Sequence, residues 1–140
     1  MRIYCCGIFD LAHYGHYEFL EKAAAYGDVV VGVHGDDVCT DYKRKPIMSC
    51  NDRCKTLSHV KHVTEILKEA PLVTTLEFMR KHKLDIVAIP EEYKNDTGGF
   101  YTEIMKSGNY IIISRTDAIS TTEIIKTIIN RFKSSKDAKM

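Results

Sequence analysis

The chain is 140 residues long, with 20 Lys and Arg against 19 Asp and Glu and a net charge of +1. That length suits one domain, and the near-neutral balance excludes the basic surplus of a nucleic-acid binder and the acidity of a solvating tail. No apolar run approaches the roughly 20 residues of a membrane span, and Met1 to Gly7 lacks the pattern of a secretory leader, so a reducing, cytoplasmic setting is expected.

Five cysteines at irregular positions (Cys5, Cys6, Cys39, Cys50 and Cys54) do not make a disulfide framework. Cys50 and Cys54 are four apart and can share a helix face, but further ligands at zinc spacing are lacking. All five are read as structural thiols.

Arg2 to Cys6 is a β-prone run stopped by Gly7, followed by a polar loop and a helical pattern through Leu20 and Ala23. Gly27-Asp28 ends that helix, and Val29 to Val33, apolar on both faces, predicts a central parallel strand. His34 to Ser49 reads as a long polar loop carrying Lys43-Arg44-Lys45 before Pro46. A helix capped by Asn51 is expected to about His59, then a short strand Val63 to Leu67 closed by Pro71. Thr74 or Thr75 caps a helix to about His82, Leu84 to Ile89 is a buried strand, and Gly98-Gly99 precedes a helix over Phe100 to Lys106. Tyr110 to Ile113 is the last strand. Ser120 or Thr121 then caps a helix whose Ile124, Ile125, Ile128, Ile129 and Phe132 predict one buried face, with a polar, frayed tail over 133–140.

Strands alternating with helices predict a single Rossmann-like α/β domain over residues 1–132, with a parallel five-stranded sheet flanked by helices. Ligands of such sheets bind beyond the carboxyl ends of the strands, where strand order reverses. The loops Gly7 to Tyr14, His34 to Ser49, Pro90 to Gly99 and Ser114 to Ser120 are therefore the candidate site.

The first of these loops reads Gly7-Ile8-Phe9-Asp10-Leu11-Ala12-His13-Tyr14-Gly15-His16 and runs into a helix. A helix start supplies unpaired N–H groups and the positive dipole end, imidazoles add donors, and Gly15 lets phosphate approach the backbone. The plainer reading is a capping and packing arrangement. Neither G-x-G-x-x-G nor a P-loop is present, which weighs against hydride transfer and P-loop hydrolysis. A second strand-to-helix junction, Arg115 to Thr122, offers a forked guanidinium and a Ser/Thr-rich helix start, with an ordinary N-cap as the plainer reading. Together with Lys43 on a third loop, the two junctions predict a three-sided polyphosphate cradle.

Residues 7–16 resemble the HxGH signature of nucleotidylyltransferases, and Arg115-Thr116-Asp117-Ala118-Ile119-Ser120-Thr121-Thr122 resembles the RTxGIST signature of the cytidylyltransferase branch. The resemblance spans about residues 2–130. Ala70-Pro71 followed by Val73 to Glu77 is similar to the phosphoethanolamine enzymes, and Tyr101 to Gly108 to those and the phosphocholine enzymes. It implies transfer of CMP from CTP, with Mg2+ on the triphosphate, to a phosphomonoester, and release of pyrophosphate.

By the same resemblance His13, His16, Lys43 and Arg115 are catalytic. Gly7, Ile8, Phe9, Gly15, Glu91, Thr116, Ile119, Ser120 and Thr121 bind nucleotide, and Asp10, Lys43 and Tyr93 bind acceptor. No metal is expected to be held by protein side chains alone. A homodimer is implied, and with about eight polar residues after Phe132 no membrane-binding extension is expected.

The chain shows three departures from the family pattern. Ala118 stands where RTxGIST has glycine, at a cost if the position needs positive φ. Ile89-Pro90-Glu91-Glu92 replaces an acidic turn near the cytosine, where Glu91 is one substitute carboxylate. Cys6 and Leu72 stand where the phosphocholine enzymes have an acidic and an aromatic residue, which favours phosphoethanolamine and leaves glycerol 3-phosphate as the alternative. Adenylyl transfer and nucleotide binding without catalysis are the competing classes. Tyr42 and Tyr93 lie within reach of an acceptor, with surface packing as the alternative. His34 with Asp36 reads either as a nucleotide-contacting or a structural turn, and His59 and His62 as a solvent-facing pair at a helix end.

Overall fold

A computed structural model describes residues 1–96 and 98–133. The elements are β1 (Arg2–Gly7), α1 (Tyr14–Ala24), β2 (Asp28–His34), α2 (Asp36–Tyr42), α3 (Cys50–Leu57), β3 (Val63–Ala70), α4 (Leu76–Lys81), β4 (Ile86–Pro90), α5 (Thr102–Ser107), β5 (Tyr110–Ile113) and α6 (Thr121–Arg131). The five strands form one parallel sheet in the order β3-β2-β1-β4-β5. This is the expected Rossmann-like arrangement. The chain winds outward from β1 to β3, then returns to the other side of β1, so the strand order reverses between β1 and β4.

Alternation along the central strands divides the core between the two faces of the sheet. Ile3 and Cys5 of β1 pack with Val29, Val31, Val33, Leu20, Ala23 and Leu57. Tyr4 and Cys6 face the opposite side with Val30, Val87, Ile89, Met79 and Ile104. Gly32 belongs to this packing: a Cβ there would lie 2.1 Å from the Tyr4 hydroxyl oxygen, so a residue without a side chain lets the ring cross β2. The β1–β4 ladder pairs Ile3 with Ile86 and Tyr4 with Val87, yet β1 continues to Gly7 and β4 to Pro90. A crevice opens where the two strands part.

Several local expectations are corrected. His34 to Ser49 is not one long loop, because Asp36–Tyr42 is helical. Asp36 and Asp37 stand in its first turn, where the helix dipole favours negative charge, and Arg53 pairs with Asp36 at 2.7 Å. Ser49, not Asn51, caps α3 by accepting from the Asp52 N–H. β3 runs on to Ala70 and β4 begins only at Ile86, since the Leu84 N–H turns back to the Met79 carbonyl. α3 ends at Leu57, so His59 and His62 lie beyond it, with His62 Nε2 3.7 Å from Glu21. Thr75 caps α4 and Ser120 caps α6. The apolar stripe of α6 is not buried: Ile128 and Ile129 are 51% and 54% exposed. Of the expected tail, residues 134–140 lie outside the described residues.

Candidate active site

A cavity of about 410 Å³ occupies the crevice at the strand-order reversal. It is lined from the segments after β1, β2, β4 and β5, and every residue read as catalytic, nucleotide-binding or acceptor-binding lies on its wall, as does His34, whereas Asp36 does not. On one side stand His13, His16 and Gly15, with Gly7, Ile8, Phe9 and Asp10 beneath them; Arg115, Thr116, Ile119, Ser120 and Thr121 stand opposite, Lys43 comes from the α2 end, and Glu91 and Tyr93 from the loop after β4.

The two histidines form a reciprocal cap on α1. The Gly15 N–H donates to His13 Nδ1 at 3.1 Å, and the His13 N–H donates to His16 Nδ1, also at 3.1 Å. The capping and phosphate-binding readings are therefore complementary. With both Nδ1 atoms accepting, each neutral ring carries its proton on Nε2 and keeps that N–H for a ligand. Burial lowers the His16 pKa to about 4, the neighbouring His13 adds to the shift, and Asp10 opposes it; burial also lowers that of His13. The rings lie 4.1 Å apart between centroids.

Gly15 is required by space. A Cβ there would lie 2.9 Å from His13 Cε1 and 3.0 Å from the Ala118 methyl, so the first helix start and the loop after β5 meet at this residue. Ala118 does not have positive φ, so alanine carries no left-handed strain there.

Strain sits instead in the first loop, where Phe9 and Leu11 have φ of 54° and 49°. Such conformations persist only where their surroundings fix them, and Asp10 between them is fixed from several directions. Its carboxylate accepts from Ile47 N–H (2.8 Å), Met48 N–H (2.9 Å) and Arg44 Nη1 (2.9 Å), and its carbonyl accepts from the Thr121 hydroxyl (2.8 Å). Burial works against ionisation, but these donors outweigh it and hold the carboxyl below its ordinary range. Both carboxylate oxygens are thus engaged in holding the Lys43 to Met48 segment.

Glu91 is likewise engaged: its Oε2 accepts from the Arg115 N–H at 2.9 Å, joining the loops after β4 and β5. His34 Nδ1 lies 3.1 Å from the Ala70 carbonyl, a structural tie on the cavity wall.

Two supporting residues were not singled out from the sequence. Lys22 Nζ donates to the Ser114 carbonyl, the Ser114 hydroxyl and the Thr116 hydroxyl at 3.1–3.2 Å, bracketing Arg115. Its partners lie more than 90 residues away, and its own surroundings in sequence give no signal. Arg53 is fully buried and donates to the Met48 carbonyl (3.0 Å), the Ile8 carbonyl (2.7 Å) and Asp36 Oδ1 (2.7 Å). An arginine between Cys50 and Leu57 on the buried face of α3 was the available clue.

Deeper in the cavity, Cys6 Sγ lies 3.4 Å from the Tyr101 hydroxyl and 3.8 Å from that of Thr74. Burial raises the thiol pKa, although the hydroxyl partners pull the other way, so this floor is neutral. Among the described residues no group of three or more His, Cys, Asp or Glu is placed to hold a metal.

The chain is 35% identical over 128 residues to the ethanolamine-phosphate cytidylyltransferase of Mus musculus, covering 89% of this chain and 32% of that protein. It is 36% identical over 139 residues to choline-phosphate cytidylyltransferase 2 of Arabidopsis thaliana, covering 94% of this chain and 46% of that protein. The chain therefore spans about a third to a half of the length of these curated relatives. Among solved structures, the lipopolysaccharide core biosynthesis protein of Thermoplasma volcanium superposes with a TM-score of 0.67 at 25% identity, over 85% of this chain and 98% of that one. Residues 4–127 match the family model described as cytidylyltransferase-like, and the chain belongs to that family.

Proposed function

We propose that the chain transfers CMP from CTP, supplied as its magnesium complex, to a small phosphomonoester, forming a CDP-alcohol and pyrophosphate for phospholipid synthesis. The observation that carries this reading is the convergence of the His13–His16 cap, Lys43 and the Arg115 to Thr121 helix start on one cavity. In-line attack forms a bond from an acceptor phosphate oxygen to the α-phosphorus as the bond to the bridging oxygen breaks, and pyrophosphate leaves with the electron pair. A phosphomonoester has its second pKa near 6, so the attacking oxygen is already anionic at neutral pH and no general base is needed. Catalysis then consists of alignment and fixed positive donors around crowded negative charge.

The residues divide the work accordingly. The His13 and His16 Nε2–H groups donate to the triphosphate and its transition state, with Gly15 admitting the chain of phosphates beside them. Arg115 holds phosphate at the α6 start together with Thr116, Ile119, Ser120 and Thr121, while Gly7, Ile8, Phe9 and Glu91 contact the rest of the nucleotide. Lys43 bridges the CTP and acceptor phosphates. Mg2+ travels with the triphosphate. A cytoplasmic homodimer is part of the same reading.

Phosphoethanolamine is the acceptor proposed first. Names of relatives at about 35% identity support an amino-alcohol phosphate, and Tyr93 with the nearby Glu92 offers its ammonium an aromatic face and a carboxylate. Neutral Cys6 and aliphatic Leu72 weigh against the trimethylammonium of phosphocholine, and glycerol 3-phosphate is the second reading. Pyrophosphate release with CTP and magnesium, comparing phosphoethanolamine, phosphocholine and sn-glycerol 3-phosphate at equal concentration, tests both. Release with one acceptor is expected; silence with all three in folded protein would refute cytidylyl transfer to these alcohols.

A further inference from the structure

Aromatic rings from two different segments of the chain meet at the cavity wall. Tyr42 closes α2, which follows β2, whereas Tyr93, Phe100 and Tyr101 follow β4 on the far side of β1. The Tyr42 ring meets Phe100 edge-on, with centroids 5.0 Å apart at 88°. Phe100 lies 6.0 Å from Tyr93, and Tyr93 lies 6.0 Å from Tyr101, whose hydroxyl contacts Cys6. All four rings line the same cavity. The contact between Tyr42 and Phe100 therefore joins the segments that follow the strands on either side of β1.

Despite that contact Tyr42 remains 43% exposed, so part of its ring is free to meet a ligand. Burial pushes the Tyr93 phenol up to about 12, with Tyr42 adding to the shift, which leaves Tyr93 neutral. The next residue after Tyr42 is Lys43, also on the cavity wall. One short stretch at the end of α2 thus presents a cation suited to a phosphate and an aromatic face suited to an ammonium. A phosphorylated amino alcohol carries those two groups a few bonds apart. The floor offers the ammonium neither charge nor an aromatic face, since Cys6 is neutral and Leu72 is aliphatic, so recognition has to come from the walls.

We infer that Tyr42, braced by Phe100, is a further acceptor-specificity residue of this chain and, with Tyr93, forms the aromatic wall against the ammonium of a phosphorylated amino alcohol. This rests on the cytidylyl-transfer reading above. Steady-state kinetics at saturating CTP, with wild type, Tyr42→Phe and Tyr42→Ala, test it with phosphoethanolamine, phosphocholine and sn-glycerol 3-phosphate as acceptors. Tyr42→Ala is expected to raise KM for the ammonium acceptors roughly 2- to 30-fold, the range of a cation–π contact, with kcat and the KM for CTP changing far less. Glycerol 3-phosphate, which has no cation, should be penalised least, and Tyr42→Phe should restore the acceptor preference.

Equal losses for charged and neutral acceptors, or a parallel rise in the KM for CTP, would mean a structural role and overturn the inference. So would a Tyr42→Ala protein with unchanged acceptor kinetics in an otherwise active enzyme. Wild-type protein inactive with every acceptor would instead defeat the underlying transferase reading.

Discussion

His13 and His16 cap the same helix through their Nδ1 atoms, and this shared geometry leaves both Nε2–H groups for the ligand. It also sets a pH dependence. His16 titrates at about 4 when folded against about 6.5 when unfolded, so between those values the unfolded chain binds more protons. Stability contributed by neutral His16 is complete above pH 6.5 and is lost as pH falls toward 4, by at most about 3 kcal/mol. His16→Asn keeps an acceptor for the His13 N–H but removes the titration. Urea unfolding at pH 4.5 and 7 should therefore show a smaller difference for this variant; an identical difference would contradict the assignment.

Lys22 fixes the two residues flanking Arg115 without touching the cavity itself. Lys22→Ala is expected to lower kcat/KM for CTP about 10-fold, as the loss of hydrogen bonds to a charged group implies, and Lys22→Arg should recover part of it. Calorimetric CTP affinity would separate weakened binding from slowed turnover. Unchanged affinity and turnover would show that Arg115 is held by other contacts.

Asp10 ties the Lys43 to Met48 segment to the first loop through both carboxylate oxygens. Asp10→Asn replaces one acceptor with an amide that opposes these donors, and a loss of about 1–3 kcal/mol in unfolding free energy is expected. Because the native carboxyl lies below its ordinary pKa, this stabilisation is present above about pH 4 and fades as pH falls through the lower folded value. Chemical denaturation of wild type and variant at pH 7 checks the magnitude, and equal midpoints would refute the role.

Arg53 joins the first loop, α2 and the segment before α3 from a fully buried position. Arg53→Met fills similar space but leaves the Ile8 and Met48 carbonyls without their donor, and a destabilisation of about 3 kcal/mol is expected. Thermal unfolding measures it; a variant as stable as wild type would show that water replaces the guanidinium without loss.

The sheet was legible because its strands are short β-branched runs punctuated by Gly, Pro and Asp, and the place of the cavity followed because such sheets open at their carboxyl edge. What escaped was held by long-range contacts. The Asp36–Tyr42 helix is too polar to show a helical period, and its start is tied to Arg53, seventeen residues on. Asp10 looked available for an acceptor because nothing in the sequence showed that Ile47 and Met48 would direct their N–H groups at it. In α6 the period identified the apolar face correctly, but periodicity does not show whether a neighbour covers it, and Ile128 and Ile129 stay exposed.

The proposed transfer depends on neutral imidazole donors at the α1 start, and single-turnover pyrophosphate release with CTP, magnesium and the preferred acceptor reads that dependence. His16→Ala should lower the rate by on the order of 10²–10³ while the protein stays folded. An unchanged rate would contradict the account.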